Sequence, residues 1–378
     1  MIYLDNNSTT APLPEVIDAV TNTLSQNWGN PSSAHEMGRN AREALESARY
    51  TTASACGIAS PASLVFTASG TESINLGFSC LLSPDIRQIL ISSVEHSAVL
   101  RAAERWADGR KVLCVPVDAE GALDLDYLRW AASKLPSLVS VGFANNETGV
   151  IADIASVSAI CREAGSLLHV DAIQAVGKLP LHLDSLDCAA ASLSAHKFHG
   201  PPGCGILFLK QRPVGDFHRR IPAPGHQQQG LRAGTENLPS IVGCGVAASL
   251  LQRSLEAGSR VESLRNQLEI NLLEKIPGSE VHGRLSLRLS NTISLYCPGR
   301  NAADLVAALN RFGVAVSAGA ACSSGGKSSH VIRLMGFSEE RANGTLRFSL
   351  SCHTTSEEIV AAATMVEQAF NLTPATSQ

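Results

Sequence analysis

The sequence predicts an α/β protein: a large domain on a mostly parallel sheet, then a smaller α+β domain. Three observations predict it. Between Leu64 and Leu209, short apolar runs alternate with longer helical stretches, the signature of repeated βαβ units. Polar, small-residue clusters follow several of those runs, at the strand ends where ligands of such sheets bind. Past Gly258 the alternation thins into mixed strands and helices.

The elements follow in order. Tyr3-Leu4-Asp5-Asn6-Asn7-Ser8-Thr9-Thr10 begins extended and turns polar. Pro12 and Pro14 introduce a helix with apolar positions Val16, Ile17, Val20 and Leu24, and residues 34–55, rich in Ala, Glu and Arg, predict a second. Strands are expected at 64–67, 88–91, 112–115, 138–143, 167–170, 188–193 and 205–209. Helices between them fall at 71–81, 96–106, 124–132 and 154–164. One long helical pattern covers 239–275. Beyond it lie strands at 292–296, 314–316 and 345–350, helices at 302–310, 329–335 and 357–370, and a frayed tail at 373–378. The domain change near Gly258 assigns residues 15–260 to the large domain, and 1–14 with 261–378 to the small one.

Composition excludes several classes. The chain has 378 residues and a net charge of −4, with no basic surplus for general nucleic-acid binding. The start lacks a signal peptide's basic residues and apolar core, and the most apolar window, near Ile241 to Leu251, is too short to span a bilayer. A cytoplasmic protein is expected. Ten cysteines contain no C-x-x-C pair, so no metal site is expected from their spacing, and most read as small core residues. Cys322 differs, lying among glycine, alanine and serine.

The chemistry centres on Ser194-Ala195-His196-Lys197. A lysine among apolar strands is costly as a cation, so its amine tends to be neutral or used chemically, as in a Schiff base. A surface lysine is the plainer alternative. Gly70 and Thr71, between a strand and a helix, offer amides and a hydroxyl to a phosphate, or simply make a capped turn. His96 opens a helix and could stack on a flat ring. Asp171 ends a core strand, where a cation such as a protonated ring nitrogen would satisfy it, or a helix N-cap would; Gln174 lies one turn later. Asn146 follows another strand, and Arg347 interrupts an apolar one, where an inward arginine needs a carboxylate. A thiol at Cys322 could carry a transferable sulfur.

These stretches resemble the cysteine desulfurases of the NifS/IscS-like type, within the class-V aminotransferases. The likeness runs nearly end to end: Y-L-D-N-N-S-T-T, G-N-P-S-S-A-H, F-T-A-S-G-T-E-S, V-E-H-S-A-V-L, A-N-N-E-T-G, H-V-D-A-I-Q-A-V-G-K, S-A-H-K-F-H-G-P, R-A-G-T-E-N, the Cys322 loop, S-S-H-V-I and R-F-S-L. The resemblance implies fold-type I, pyridoxal 5'-phosphate as cofactor, L-cysteine as substrate, a homodimer, and a sulfur-acceptor protein as partner. By the same resemblance Lys197 would bind the cofactor's aldehyde and later move the α-proton. Asp171 would pair with the ring nitrogen, Gln174 with the phenolic oxygen, and His96 would stack on the ring and assist proton transfer. Asn146 would lie beside cofactor and substrate. Gly70, Thr71, Ser194 and His196 would hold the phosphate, with Thr235 reaching in from the other subunit. Arg347 would clamp the substrate carboxylate, and Cys322 would take the sulfur as a persulfide.

Two departures stand out. The family's S-S-G-S-A-C is here Ser317-Ala318-Gly319-Ala320-Ala321-Cys322, and its glycine-rich segment before R-A-G-T-E-N is replaced by Pro224-Gly225-His226-Gln227-Gln228-Gln229-Gly230. Selenocysteine lyase, or another class-V aminotransferase, is the alternative on the same cofactor; a non-catalytic sulfur-carrier scaffold is opposed by intact Lys197 and Asp171. The sequence names no acceptor among the iron–sulfur cluster assembly, nitrogenase maturation, tRNA thiolation and DNA phosphorothioation routes that related enzymes serve.

Overall fold

Alternate residues of the apolar runs face opposite ways, and that alternation builds the central sheet. The computed structural model describes residues 1–211, 226–319 and 328–375. After a two-residue strand β1 (Ile2–Tyr3) and helices Pro14–Gln26 and Glu36–Ala55 come seven strands. They are β2 (Leu64–Thr67), β3 (Gln88–Ser92), β4 (Lys111–Val115), β5 (Ser137–Gly142), β6 (Leu167–Asp171), β7 (Ala190–Ser194) and β8 (Gly205–Leu209). They lie in the order β2-β8-β7-β6-β5-β3-β4, and every pairing is parallel except the two made by β8.

Leu64, Phe66, Leu90, Val139, Val170, Ile206 and Phe208 enter the core on one face. Val65, Ile89, Ile91, Leu138, Leu207 and Leu209 enter the core on the other. Burial on both faces explains why these strands read as continuous apolar runs. On the first face helix Leu238–Ser249 lies so close to helix Glu36–Ala55 that a Cβ on Gly245 would sit 2.8 Å from the Ala48 Cα.

A third core gathers Leu4, Val261, Leu268, Leu272, Ile293, Leu346, Phe348, Ile359 and Val366. It surrounds strands β9 (Glu280–Val281), β10 (Thr292–Tyr296), β11 (Val314–Ala315), β12 (Ser317–Ala318) and β13 (Thr345–Ser349). Here β12-β13-β10-β9 form an antiparallel sheet, and β11 pairs in parallel with β1. Residues 2–5 therefore join a sheet made some three hundred residues later, and Asp5 bridges Ser349.

The structure departs from sequence expectation at several places. The pattern at 239–275 is three helices, Leu238–Ser249, Leu251–Glu256 and Gly258–Lys275, broken at Leu250 and Ala257. The breaks let Leu251 enter the first core while Val261 onward enters the third. The strand expected at 314–316 covers only 314–315, and a second strand follows it at 317–318, because β11 pairs with β1 whereas β12 pairs with β13. Strands of two residues such as β1 and β9 are too short to show a period. Among the described residues no helix is long and apolar enough to cross a membrane.

The reversed strand β8 presses on the turn that follows β2. A Cβ on Gly205 would lie 2.2 Å from the Ser69 carbonyl oxygen and 2.4 Å from Thr67 Oγ1. Gly205→Ala should therefore destabilise the protein by about 1–3 kcal/mol, as overpacking does. Urea unfolding followed by circular dichroism measures this, and an unchanged midpoint would show that β8 does not brace the Ser69 turn.

Candidate functional site

The carboxyl ends of β2, β3, β5, β6 and β7 open on one cavity of ≈ 320 Å³. It is lined by Gly70 and Thr71 after β2, His96 after β3, Asn146 after β5, Asp171 and Gln174 at the end of β6, and Ser194, His196 and Lys197 at the end of β7. Arg347, from β13 of the smaller sheet, closes the wall, together with Asn7 and Ser8. Sheet topology thus brings these sequence-predicted residues together. Thr235 is exposed and does not line the cavity. Cys322 lies outside the described residues, as do Pro224 and Gly225.

Each side chain has a local reason for its place. Ser69 caps helix Gly70–Leu81, accepting the Glu72 amide, while the amides of Gly70 and Thr71 have no hydrogen-bond partner among the described residues. Free amides at a helix start, beside the Thr71 and Ser194 hydroxyls, suit an anion. His96 caps the next helix: its Nδ1 accepts the Ala98 amide at 3.1 Å. That places the proton of the neutral ring on Nε2. Burial first, then Coulombic interaction with Lys197, His330 and Arg347, pushes its pKa down to about 4, so the ring is neutral at pH 7.

Asp171 is not a helix N-cap, since residues 173–178 form turns. Its Oδ1 accepts the Ile173 amide at 3.0 Å. Burial raises its pKa to about 6, against the pull of that amide and of Lys197. A carboxyl desolvated in this way favours a cationic partner. Behind it His169, buried between Ser140 Oγ at 2.8 Å and Ser192 Oγ at 2.9 Å, ties β6 to its neighbours. Lys197 ends the short turn Ala195–Lys197, and its Nζ donates to the carbonyls of Asn7 and Ser8, each at 2.6 Å. Arg347 donates through Nη2 to Asp5 Oδ1 (2.7 Å) and Ser8 Oγ (2.6 Å), and through Nη1 to the Asn146 carbonyl (3.0 Å). Among the described residues its Nε is buried with no partner, a donor left for an incoming carboxylate.

Several site groups gave no signal as single residues. Lys178 is half-buried near Lys197, donating to Gln174 Oε1 at 2.6 Å and Asn7 Oδ1 at 3.1 Å. Burial, Lys197 and Arg347 hold its pKa well below the ordinary lysine value. Glu95 is buried, accepts the Gly142 amide at 2.7 Å, and is held well above the ordinary carboxyl range by burial and by Asp171. Glu147 is pushed up to about 7, mainly by burial, and accepts Ser329 Oγ at 2.5 Å. A helical or strand period cannot flag them, because their partners lie far along the chain. The altered segment also has a structural job: Gln228 Oε1 accepts from the Phe66 amide and from Arg49, bracing β2.

The donor set suits a flat ring bearing a phosphate, a carbonyl and a basic nitrogen. Free amides and hydroxyls await the anion, a buried carboxyl the nitrogen, an amine the carbonyl, and a neutral imidazole borders the space. Pyridoxal phosphate, which the sequence resemblance implies, has these features.

Comparison with known proteins agrees with this geometry. The family model described as Aminotransferase class-V matches residues 2–361. The chain is 40% identical over 363 residues to "Cysteine desulfurase 2" of Trichormus variabilis, covering 95% of this chain and 90% of that protein. It superposes on a solved "NIFS-LIKE PROTEIN" with TM-score 0.89 at 35% identity, covering 97% and 98% of the two chains. A structure of "SspA in complex with cysteine" aligns with TM-score 0.79 at 26% identity, covering 94% of this chain and 100% of that one.

The raised pKa of Asp171 predicts a pH-dependent stability. In the cofactor-free protein the folded state keeps this proton up to about pH 6, whereas the unfolded chain loses it near the ordinary value of 3.8. Stability from this group is therefore full below that value and is lost as pH rises through 6. Cofactor-free Asp171→Asn should be more stable than the parent at pH 8, by about 2–3 kcal/mol, with the difference vanishing near pH 4. Melting curves across pH measure it; equal stability at pH 8 would mean that the carboxylate is well solvated.

Proposed function

The chain belongs to the class-V aminotransferase family, among its cysteine desulfurases, and from that premise we propose that its cavity removes the sulfur of L-cysteine and leaves L-alanine. One observation carries the proposal to these residues: Lys197, Asp171, His96 and the free amides after β2 share a single cavity with an inward arginine. Residues 15–260 would form the cofactor-binding domain, and 1–14 with 261–378 the smaller one.

Pyridoxal phosphate, when bound, supplies an electron sink for the electrons left at the substrate's α-carbon. Gly70, Thr71, Ser194 and His196 hold its phosphate. Asp171 keeps a proton on the ring nitrogen by Coulombic attraction, and Gln174, oriented by Lys178, faces the phenolic oxygen. His96 covers the ring as a neutral imidazole; its Nδ1 is engaged by the Ala98 amide, so any proton it exchanges passes through Nε2. Lys197 would hold the cofactor at its carbonyl carbon and would move the substrate's α-proton at Nζ, with the Asn7 and Ser8 carbonyls orienting the amine. Arg347 binds the substrate carboxylate through its unpartnered Nε, and Asn146 lies beside it.

Cys322 then receives the sulfur. Its thiolate attacks the substrate's sulfur, the carbon–sulfur bond breaks, the carbon takes a proton to become alanine, and a persulfide remains on Cys322. An acceptor protein collects that sulfur. In a homodimer, the exposed Thr235 of each protomer would reach the phosphate in its partner's cavity.

Purified protein should convert L-cysteine and a reductant to alanine and sulfide, with the yellow absorbance of lysine-bound cofactor. Cys322→Ala should keep the colour and lose roughly 100-fold or more in turnover, whereas Lys197→Ala should lose the characteristic absorbance. A Cys322→Ala protein as active as the parent would overturn the persulfide route. Arg347→Lys should raise KM by about tenfold or more, because one ammonium cannot supply the donor at Nε and also keep the Asp5 and Asn146 contacts; an unchanged KM would remove Arg347 from substrate binding.

A further inference from the structure

Next to the Lys197 loop, three metal-ligating side chains that do not line the cavity meet, one thiol and two imidazoles. His199 is buried, Cys352 partly buried and His353 exposed, and one ligand atom of each lies within 4.8 Å of the others. His199 Nε2 is 3.8 Å from Cys352 Sγ, and the two imidazole rings stand at 87° with centroids 5.4 Å apart. We propose that His199, Cys352 and His353 form a binding site for a thiophilic divalent cation such as Zn²⁺, with solvent as the fourth ligand.

The geometry meets the ordinary requirements of such a site. Zinc–sulfur and zinc–nitrogen bonds of about 2.3 and 2.0 Å at a tetrahedral angle set donors about 3.6 Å apart, close to the sulfur–nitrogen pair seen here. His353, being exposed, turns inward about its side-chain bonds to complete the set. The buried ligand is already oriented. His199 Nδ1 lies 2.9 Å from the Ala11 carbonyl, which fixes the proton there and leaves the Nε2 lone pair facing the thiol.

The backbone is committed to that orientation. His199 has φ of 66°, a left-handed conformation costly for a side-chain-bearing residue. It is held by its amide donating to Thr10 Oγ1 at 2.7 Å and its carbonyl accepting the Leu13 amide at 3.2 Å. The other two donors sit on a turn fixed independently. The Ser351 amide donates to Thr354 Oγ1 and the His353 amide to Ser351 Oγ, while Arg260 donates to the Cys352 and Thr354 carbonyls. Exposure of His353 supplies the entry path. The separation of 153 positions from His199 to Cys352 explains why cysteine spacing alone showed no site. A bound cation would tie the loop carrying Lys197 to the turn that follows β13, and β13 carries Arg347.

The test is an anaerobic titration of the holoenzyme with Co²⁺, read by two signals. These are the red d–d bands of four-coordinate Co²⁺, clear of the cofactor's absorbance, and the near-ultraviolet sulfur-to-metal charge transfer. One equivalent should bind and be displaced by Zn²⁺. Cys352→Ser should abolish the charge transfer, and His353→Ala, a change at an exposed position, should weaken binding by about tenfold or more. The proposal is overturned if no four-coordinate signal appears, if Cys352→Ser retains the charge transfer, or if His353→Ala binds as the parent does.

Discussion

The site depends on Asn7. Its amide donates to Ser349 Oγ at 2.9 Å, its Nδ2 to Thr292 Oγ1 and the Asn146 carbonyl, and its Oδ1 accepts from Lys178 and Asn291. Its carbonyl accepts from Gln174 and Lys197. One buried asparagine therefore ties the ends of β5, β6 and β7 to β10 and β13 of the other sheet. Every polar group it carries is satisfied, the condition under which a buried network rigidifies a structure and does not weaken it. The two sheets meet at a hydrogen-bonded joint, and the cavity is the space that the joint leaves open.

Charge around that space is arranged in opposition. Burial drives acids and bases alike toward neutrality: Asp171 and Glu147 titrate high, and Lys178 and His96 titrate low. Arg347 pairs with Asp5 at 2.7 Å. A ligand bringing a cationic nitrogen to Asp171 and an anion to the helix start supplies charges that these neighbours lack. The same low dielectric makes each such contact stronger than it would be in water. Glu147 joins the two flanks of the segment bearing Cys322, since it accepts Ser329 Oγ and a Cβ on Gly319 would lie 2.9 Å from its Oε2.

Much of this was legible in the sequence because a parallel sheet places function next to pattern. Gly70, His96, Asn146, Asp171 and Lys197 each follow an apolar run within a few residues, so finding the strand finds the site residue. Arg347 was legible for a related reason, as a cation inside an apolar run. Asn7, Lys178, Glu95 and Glu147 were not, because their meaning lies in partners supplied by other strands. Gln174 matched the family motif, yet its orientation by Lys178 needed coordinates. The split of the long helical pattern at Leu250 and Ala257 also escaped, since apolar periodicity continues while the core it faces changes. The departure at 226–230 looked like a loss of glycines; in the structure it inserts Gln228 beneath β2.

The joint at Asn7 sets an order of events in the making of the protein. Its partner Ser349 lies 342 residues further along the chain. Closing a loop of that length costs about 5 kcal/mol of chain entropy before any contact repays it. On the ribosome the large sheet can be complete, with Lys197 and Asp171 in place, while residues 5–8 still wait for β13 to emerge. A nascent chain at that stage owns a half-walled cavity, with no arginine opposite the lysine and no carbonyls around its amine. The enzyme's capacity to act would then arrive in one step, late in synthesis, when the earliest-made residues are captured by some of the latest.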